Sequence, residues 1–333
     1  MKKSGCAILF LFVILCASLF GNLLLLTALG GREASSGTTS RLFREKNFEE
    51  TVLVEGASSQ NRVAVIPLEG VIATGQPGSL GSNMITDFKR ALQQALDDET
   101  IKAAIVLTDS PGGEITASDV LYHAIKQFSQ RKPIIMYFNS LGASGAYYAG
   151  CGASWIMCND TTLTGSIGVI ISTLNYRELF GKIGLDAVVF RSGKFKDMLS
   201  GAREMTEDER QYVQGLVMQS YGRFVGIVAV ARKLDEQKLR EGVADGRILS
   251  GVDAKEAGLV DELGYVENAY AKAAEMANVQ NPQVVQYRRG LSFADFLSFF
   301  GEAHAPKIEI NMLAESAKLL PGRVYLLPAI FAP

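Results

Sequence analysis

The sequence predicts an α/β fold in which a largely parallel sheet is flanked by helices and preceded by one N-terminal transmembrane helix. Three observations predict it. A single uncharged apolar run occupies the N-terminus, from Cys6 to Leu29. Beyond about residue 62, short apolar runs alternate with stretches of helical spacing, the order expected of βαβ units. Those short runs are apolar almost throughout, as strands buried on both faces of a parallel sheet must be.

The N-terminal run holds twenty-four residues, no charge and one Asn. At about 1.5 Å per residue it reaches roughly 36 Å as a helix, enough to cross the hydrocarbon core with some tilt. A cleaved signal peptide has an apolar region of about 7 to 15 residues, so this longer run reads as a retained anchor. Bulky Leu15 argues against lipid attachment at Cys16. Residues 1–30 are therefore read as a cytoplasmic tip and anchor. Lys2 and Lys3 precede the span, whereas Arg32, Arg41, Arg44 and Lys46 follow it. That count favours a cytoplasmic C-terminal side, but long domains translocate largely regardless of flanking charge.

Residues 31–60, with GGREASSGTTS near their start, read as a linker. A globular body is expected over 61–280. Strands are predicted at Val63–Leu68, Ala103–Leu107, Ile134–Phe138, Trp155–Cys158, Ile167–Thr173 and Ala187–Phe190. Helices are predicted at Met84–Leu96, Thr116–Phe128, from Ala143, and at Tyr176–Ile183. Thr206 with Glu209 has the form of a capping box, and Val213, Leu216, Val217, Phe224, Ile227 and Val228 continue at helical spacing, so a long helix is predicted over Thr206–Lys233. Gly251–Gly258 and Tyr265–Ala277 read as two further helices. Residues 281–333 form a C-terminal extension whose end, Val324–Pro333, is too apolar to be left without a covering surface.

Composition narrows the chemistry. With 48% hydrophobic and 20% charged residues the chain can bury a large core. A net charge of −2 and the lack of an arginine-rich stretch interleaved with aromatics argue against nucleic acid as a partner. Cys151 and Cys158 lack the spacing of a metal or redox motif and read as buried thiols, a disulfide staying open if this region is extracytoplasmic. No cofactor or metal is expected. Only two histidines occur, His123 and His304, and neither lies in a glycine-rich loop.

Three loops follow strands, where α/β proteins place their sites. Asp109, Ser110, Pro111, Gly112, Gly113 supplies glycines before a helix, a setting in which backbone N–H groups turn outward and can stabilise an oxyanion. Asn139 to Ala146 places Ser144 among small residues at a helix start, either as an unobstructed nucleophile or as a simple helix cap. Ala146 breaks the G-x-S-x-G pattern, which removes the main support for an α/β-hydrolase. Thr164–Gly168 and the later Arg191–Asp197 bring Ser166, Lys194 and Lys196. A lysine serves as a general base when desolvation disfavours its ammonium form, and a neighbouring hydroxyl such as Ser166 can orient it.

Ser-Pro-Gly-Gly at 110–113, Gly-Ala-Ser-Gly-Ala-Tyr-Tyr at 142–148, Thr-Gly-Ser-Ile-Gly-Val at 164–169 and Ser-Gly-Lys-Phe-Lys-Asp at 192–197 together resemble the signal peptide peptidase A family. So does VADGRILSGVDAKEAGLVDELG at 243–264. The resemblance spans roughly residues 62–278. It implies a Clp-protease or crotonase-like fold and a serine endopeptidase that cleaves signal-peptide remnants or other membrane-associated peptides through an acyl-enzyme. It also implies a single anchor with the body outside the cytoplasm, and a ring or dome of identical subunits. Ser144 matches the family nucleophile, Lys196 its general base and Ser166 the serine that contacts the lysine, which makes 61–280 a Ser/Lys peptidase domain. Gly113 and Gly145 are the candidate oxyanion amides, with Gly112 an alternative. Asp109 and Glu114 depart from the family pattern, where Asn and a smaller residue are common. Two rivals share the fold: a crotonase-type acyl-CoA enzyme, and a non-catalytic membrane scaffold.

Overall fold

The structure is a computed structural model and describes residues 14–15, 18–21, 48–75, 83–289 and 325–326. The chain divides into two compact units, Met1–Asn47 and Phe48–Pro333. In the first, residues 14–15 and 18–21 are helical. No helix among the described residues is long and apolar enough to cross a membrane. The anchor expected over Cys6–Leu29 lies largely outside those residues.

The second unit is built on a sheet that, among the described residues, has nine strands. Its main path places β1 (Glu49–Val54) beside β10 (Pro282–Arg288), then β2 (Ser58–Glu69), β3 (Ile101–Ser110), β5 (Ile134–Ala143), β6 (Trp155–Cys158) and β9 (Glu262–Leu263). From β10 to β9 every pairing on this path is parallel; only β1 runs antiparallel. β7 (Leu163–Gly165) extends the far end of β5 in parallel, and β8 (Ile248–Ser250) lies antiparallel to β7.

Alternate residues of the central strands enter two cores, which is why these runs are apolar on both faces. Ala64, Ile66, Ala104, Val106, Ile134, Met136 and Phe138 pack with helices α1 (Met84–Asp97), α2 (Ile115–Ser129), α3 (Gly145–Gly150) and α5 (Glu207–Arg232). Val63, Val65, Ala103, Ile105, Ile135 and Tyr137 face α8 (Val266–Met276) through Ala269 and Ala273. Leu121, Ile125 and Phe128 of α2 are fully buried, each worth roughly 1.5–3 kcal/mol.

Helix ends follow the sequence signals. Asn83 caps α1 by accepting from the amides of Ile85 and Thr86. The capping box of Thr206 and Glu209 is formed, and α5 stops at Lys233 in a left-handed conformation. Among the described residues of this unit the remaining helices are α4 (Arg177–Lys182), α6 (Glu236–Glu241) and α7 (Gly251–Glu256).

Two expected strands are absent. Ile167–Thr173 forms no strand, because Gly165 and Ser166 both take positive φ (72° and 50°) and turn the chain out of β7. Ala187–Phe190 also forms none and is wholly exposed, since no sheet edge reaches it. Conversely, β1 lies within the stretch read as linker and β10 within the C-terminal extension. Of Val324–Pro333, only Tyr325 and Leu326 are described. They form β11, antiparallel to the two-residue strand β4 (Gly113–Glu114).

Candidate active site

The three glycine-rich loops leave the C-terminal ends of β3, β5 and β7, which are neighbours in the sheet. Ala143 and Gly165 are register partners on β5 and β7, so the next residues, Ser144 and Ser166, stand side by side past the ends of adjacent strands. The Ser144 amide donates to the Gly165 carbonyl at 2.8 Å, and the Thr164 hydroxyl donates to the Gly142 carbonyl at 2.7 Å. Ser166 is likewise held, its amide donating to the Arg247 carbonyl at 2.8 Å.

Ser144 carries φ 52° and ψ −112°, a strained conformation for a residue with a side chain. Hydrogen bonds on both sides impose it: besides its own amide, its carbonyl accepts from the Tyr148 amide at 2.8 Å. Helix α3 behind it is buried along its whole length. Its tyrosines are anchored through their hydroxyls, Tyr147 donating to the Leu259 carbonyl at 2.8 Å and Tyr148 to Asp119 at 2.6 Å. Burial holds both phenols above their ordinary pKa, and the Asp119 hydrogen bond adds to this for Tyr148, so both act as donors. The Ser144 side chain does not cap α3. Its Oγ is buried and has no hydrogen-bond partner. An unpaired buried hydroxyl costs about 1–3 kcal/mol.

The Gly112–Gly113 loop meets this serine through glycine. A Cβ on Gly145 would lie 3.0 Å from the Gly113 nitrogen and 2.4 Å from the Ser118 hydroxyl, so the two glycines abut. Gly113 is itself pressed against the segment 71–75, where a Cβ would fall 1.9 Å from the Ile72 carbonyl oxygen. That segment is clipped to the loop at four points. The Ile72 amide donates to the Gly112 carbonyl at 2.8 Å, and the Glu114 amide to the Ile72 carbonyl at 2.7 Å. The Glu114 carboxylate accepts from the Thr74 amide and hydroxyl. Gly112 has φ 100°, and its amide donates to the Ser110 hydroxyl at 3.1 Å.

The bulge ahead of Ser144 has its own brace. Thr108 pairs with Phe138 but Ser110 pairs with Gly142, so β5 carries extra residues there. The Asp109 carboxylate accepts from the Leu141 amide at 3.0 Å and from the Asn139 side chain at 2.8 Å, supplying acceptors that the interrupted ladder lacks. Sequence reading marked Asp109 and Glu114 only as departures from a pattern. It missed the 71–75 segment, which has no periodicity to reveal it.

With the Ser144 Oγ unpartnered, Lys196 makes no hydrogen bond to it within the chain. The lysine is exposed, as is every residue from Gly181 to Lys196. Lys194, its near neighbour, pairs with Asp208. His123 is exposed on α2 beside Gln127, and His304 lies outside the described residues. Cys151 and Cys158 are free and buried, each thiol pushed up to about 12 by burial. Among the described residues no cluster of His, Cys, Asp and Glu could hold a metal ion.

Strand ends, a strained buried serine and abutting glycines make this cluster the candidate active site. Residues 126–280 match peptidase family S49. The chain is 32% identical to a putative protease of Methanocaldococcus jannaschii, over 86% of this chain and 87% of that one. It is 35% identical to a putative signal peptide peptidase of Enterococcus faecium, over 77% of each chain. It is 37% identical to a putative protease of Synechocystis, over 68% of this chain and 78% of that one. The chain belongs to peptidase family S49, the signal peptide peptidase A family, and is a serine peptidase. That membership sets the peptidase above the acyl-CoA enzyme and the inert scaffold.

Proposed function

We propose that this chain is a membrane-anchored endopeptidase in which Ser144 is the nucleophile and Lys196 the general base. The observation that carries the proposal is Ser144 itself: a buried hydroxyl without a partner, on a strained turn, beside two glycines whose side chains are excluded by contact. In this reading the neutral amine of Lys196 takes the Ser144 proton as Oγ attacks the peptide carbonyl. The N–H groups of Gly113 and Gly145 receive the oxyanion. Gly112 is the weaker candidate, because its amide is already engaged by Ser110. The lysine ammonium then protonates the departing amine, and a water molecule repeats the sequence on the acyl-enzyme. Ser166, beside Ser144, orients the lysine through its hydroxyl.

Lys196 is exposed on an arm whose Leu174, Leu179, Ile183, Leu185, Val188, Val189 and Phe190 are exposed as well. We infer that the site is completed in an assembly of identical subunits, the arm of one copy delivering its lysine to the serine of the next. The substrates are membrane-associated peptides, including cleaved signal peptides. The apolar run at Cys6–Leu29 and the relative named as a signal peptide peptidase support this. The body is assigned to the extracytoplasmic side. Active alkaline phosphatase fused after residue 60 is the expected outcome there, and an inactive fusion places the body inside.

The dyad is tested by labelling with a serine-reactive probe and locating the adduct by mass spectrometry, expected at Ser144 and lost in Lys196→Ala. Assembly is tested by co-expressing Ser144→Ala with Lys196→Ala. Mixed assemblies regain activity if the two residues come from different copies, and stay inactive if each copy supplies both.

A further inference from the structure

We propose that Arg203 is the positioning residue for Lys196, and this rests on the Ser144 and Lys196 reading above. Lys196 lies in a loop without helix or strand. Three turn bonds link the Lys196 amide to the Gly193 carbonyl, Met198 to Phe195 and Ser200 to Asp197, each at 3.1 Å. Such a loop does not by itself hold a base within the fraction of an ångström that proton transfer requires.

Arg203 supplies the missing rigidity, and all five of its N–H groups are committed. Nε and Nη2 donate to the two oxygens of Asp197 at 2.8 Å each. Nη1 and Nη2 donate to the two oxygens of Glu209, and Nη1 also to the Glu204 carbonyl. Asp197 follows Lys196 directly. Glu209 closes the capping box at the start of α5, accepting from the Thr206 amide at 2.9 Å. The guanidinium thus ties the lysine loop to the N-terminus of a helix of 26 residues, in the forked geometry that Arg alone provides.

The same fork governs charge. A carboxylate paired with an ammonium favours the charged form, which cannot accept a proton. Asp197 is the carboxylate nearest Lys196 in sequence, and its oxygens are taken by Arg203 and by Arg191, the latter at 2.7 Å. Glu209 is taken by Arg203, and Asp208 by Lys194. Asp197, Glu209 and Asp208 therefore each have a cation partner other than Lys196.

The test uses the full-length assembled protein and a fluorogenic peptide. Arg203→Ala is expected to lower kcat by about 10- to 100-fold with KM within about twofold of wild type, the signature of a displaced catalytic group. Arg203→Lys keeps the charge but not the fork, and is expected to lose most of the same activity. An activated aryl ester reads the residual turnover of Lys196→Ala, and adding Arg203→Ala to that background is expected to change nothing further. Multiplied losses in the double variant would overturn the proposal, because Arg203 would then act elsewhere. Wild-type kcat in Arg203→Ala, with Lys196→Ala inactive, would overturn it alone. Full activity in Lys196→Ala would overturn the underlying dyad instead. Should Arg203→Ala not fold, Asp197→Ala cuts the brace at the lysine end only and carries the same expectation.

Discussion

Gly113→Ala isolates the contact on which the proposed oxyanion site depends. The added methyl would lie 1.9 Å from the Ile72 carbonyl oxygen, 2.6 Å from its carbon and 2.7 Å from the Ile72 nitrogen. A carbon to oxygen contact settles near 3.3 Å, so the segment and the loop must separate by about 1.4 Å. All three crowding atoms are backbone, so no rotamer change relieves the clash. That separation breaks the Ile72 to Gly112 and Glu114 to Ile72 hydrogen bonds, now 2.8 and 2.7 Å long. At about 1 kcal/mol each, stability is expected to fall by about 2 kcal/mol, read from urea midpoints at constant m-value. Displacing one oxyanion donor lowers kcat by about 10²- to 10³-fold, read by peptide hydrolysis under conditions where the variant stays folded. Lost stability with wild-type kcat would refute the oxyanion role and keep the packing argument. Wild-type stability would refute the packing argument itself.

Ser144→Ala is expected to abolish hydrolysis and leave the melting temperature equal or slightly higher, since the hydroxyl it removes is buried and unpaired; a fall of several degrees would show that the hydroxyl is bonded after all. Cys151 and Cys158, both raised to about 12, are expected to resist alkylation at pH 8 in the folded protein and react after denaturation, counted by mass spectrometry. Acid should loosen the Lys196 brace in a defined window. Arg203, followed by the Thr206 amide, holds Glu209 near 2 instead of about 4.5, and Arg203 and Arg191 hold Asp197 below the usual carboxylate range. A lowered folded pKa contributes stability above the unfolded value and loses it as pH falls through the folded one. Hydrogen-exchange protection around Thr206–Glu209 should therefore decline from about pH 4.5 towards 2, and Glu209→Gln should flatten that decline.

Much of the fold was legible because periodicity reports burial directly. Trp155–Cys158 matched its expected bounds, and Met84–Leu96 and Thr116–Phe128 fell within a residue of theirs, since their apolar positions face one contiguous core. Ser144, Ser166, Gly113 and Gly145 converge because each follows a strand of the same sheet, and strand order is what a βαβ pattern encodes. Segment 71–75, the Asp109 bridge and the Arg203 fork were not legible. The first two rest on hydrogen bonds between residues 30 or more apart in sequence, and the third joins Arg203 to carboxylates six residues away on either side, all of them ordinary in their local sequence. The strand expected at Ala187–Phe190 failed for a different reason. Apolar, β-branched residues need a neighbouring edge to satisfy their backbone, and within one chain none arrives. Phe190 is 95% exposed and Val188 77%. Covering seven such side chains even halfway would yield about 5–10 kcal/mol, comparable to the cost of associating two proteins. Within the described structure the expected strand and its burial are both absent, and the exposed apolar arm is what the proposed assembly would cover. In the assembly proposed for this chain that burial would lie between copies, and the same contact would carry Lys196 off the exposed arm and towards a buried serine.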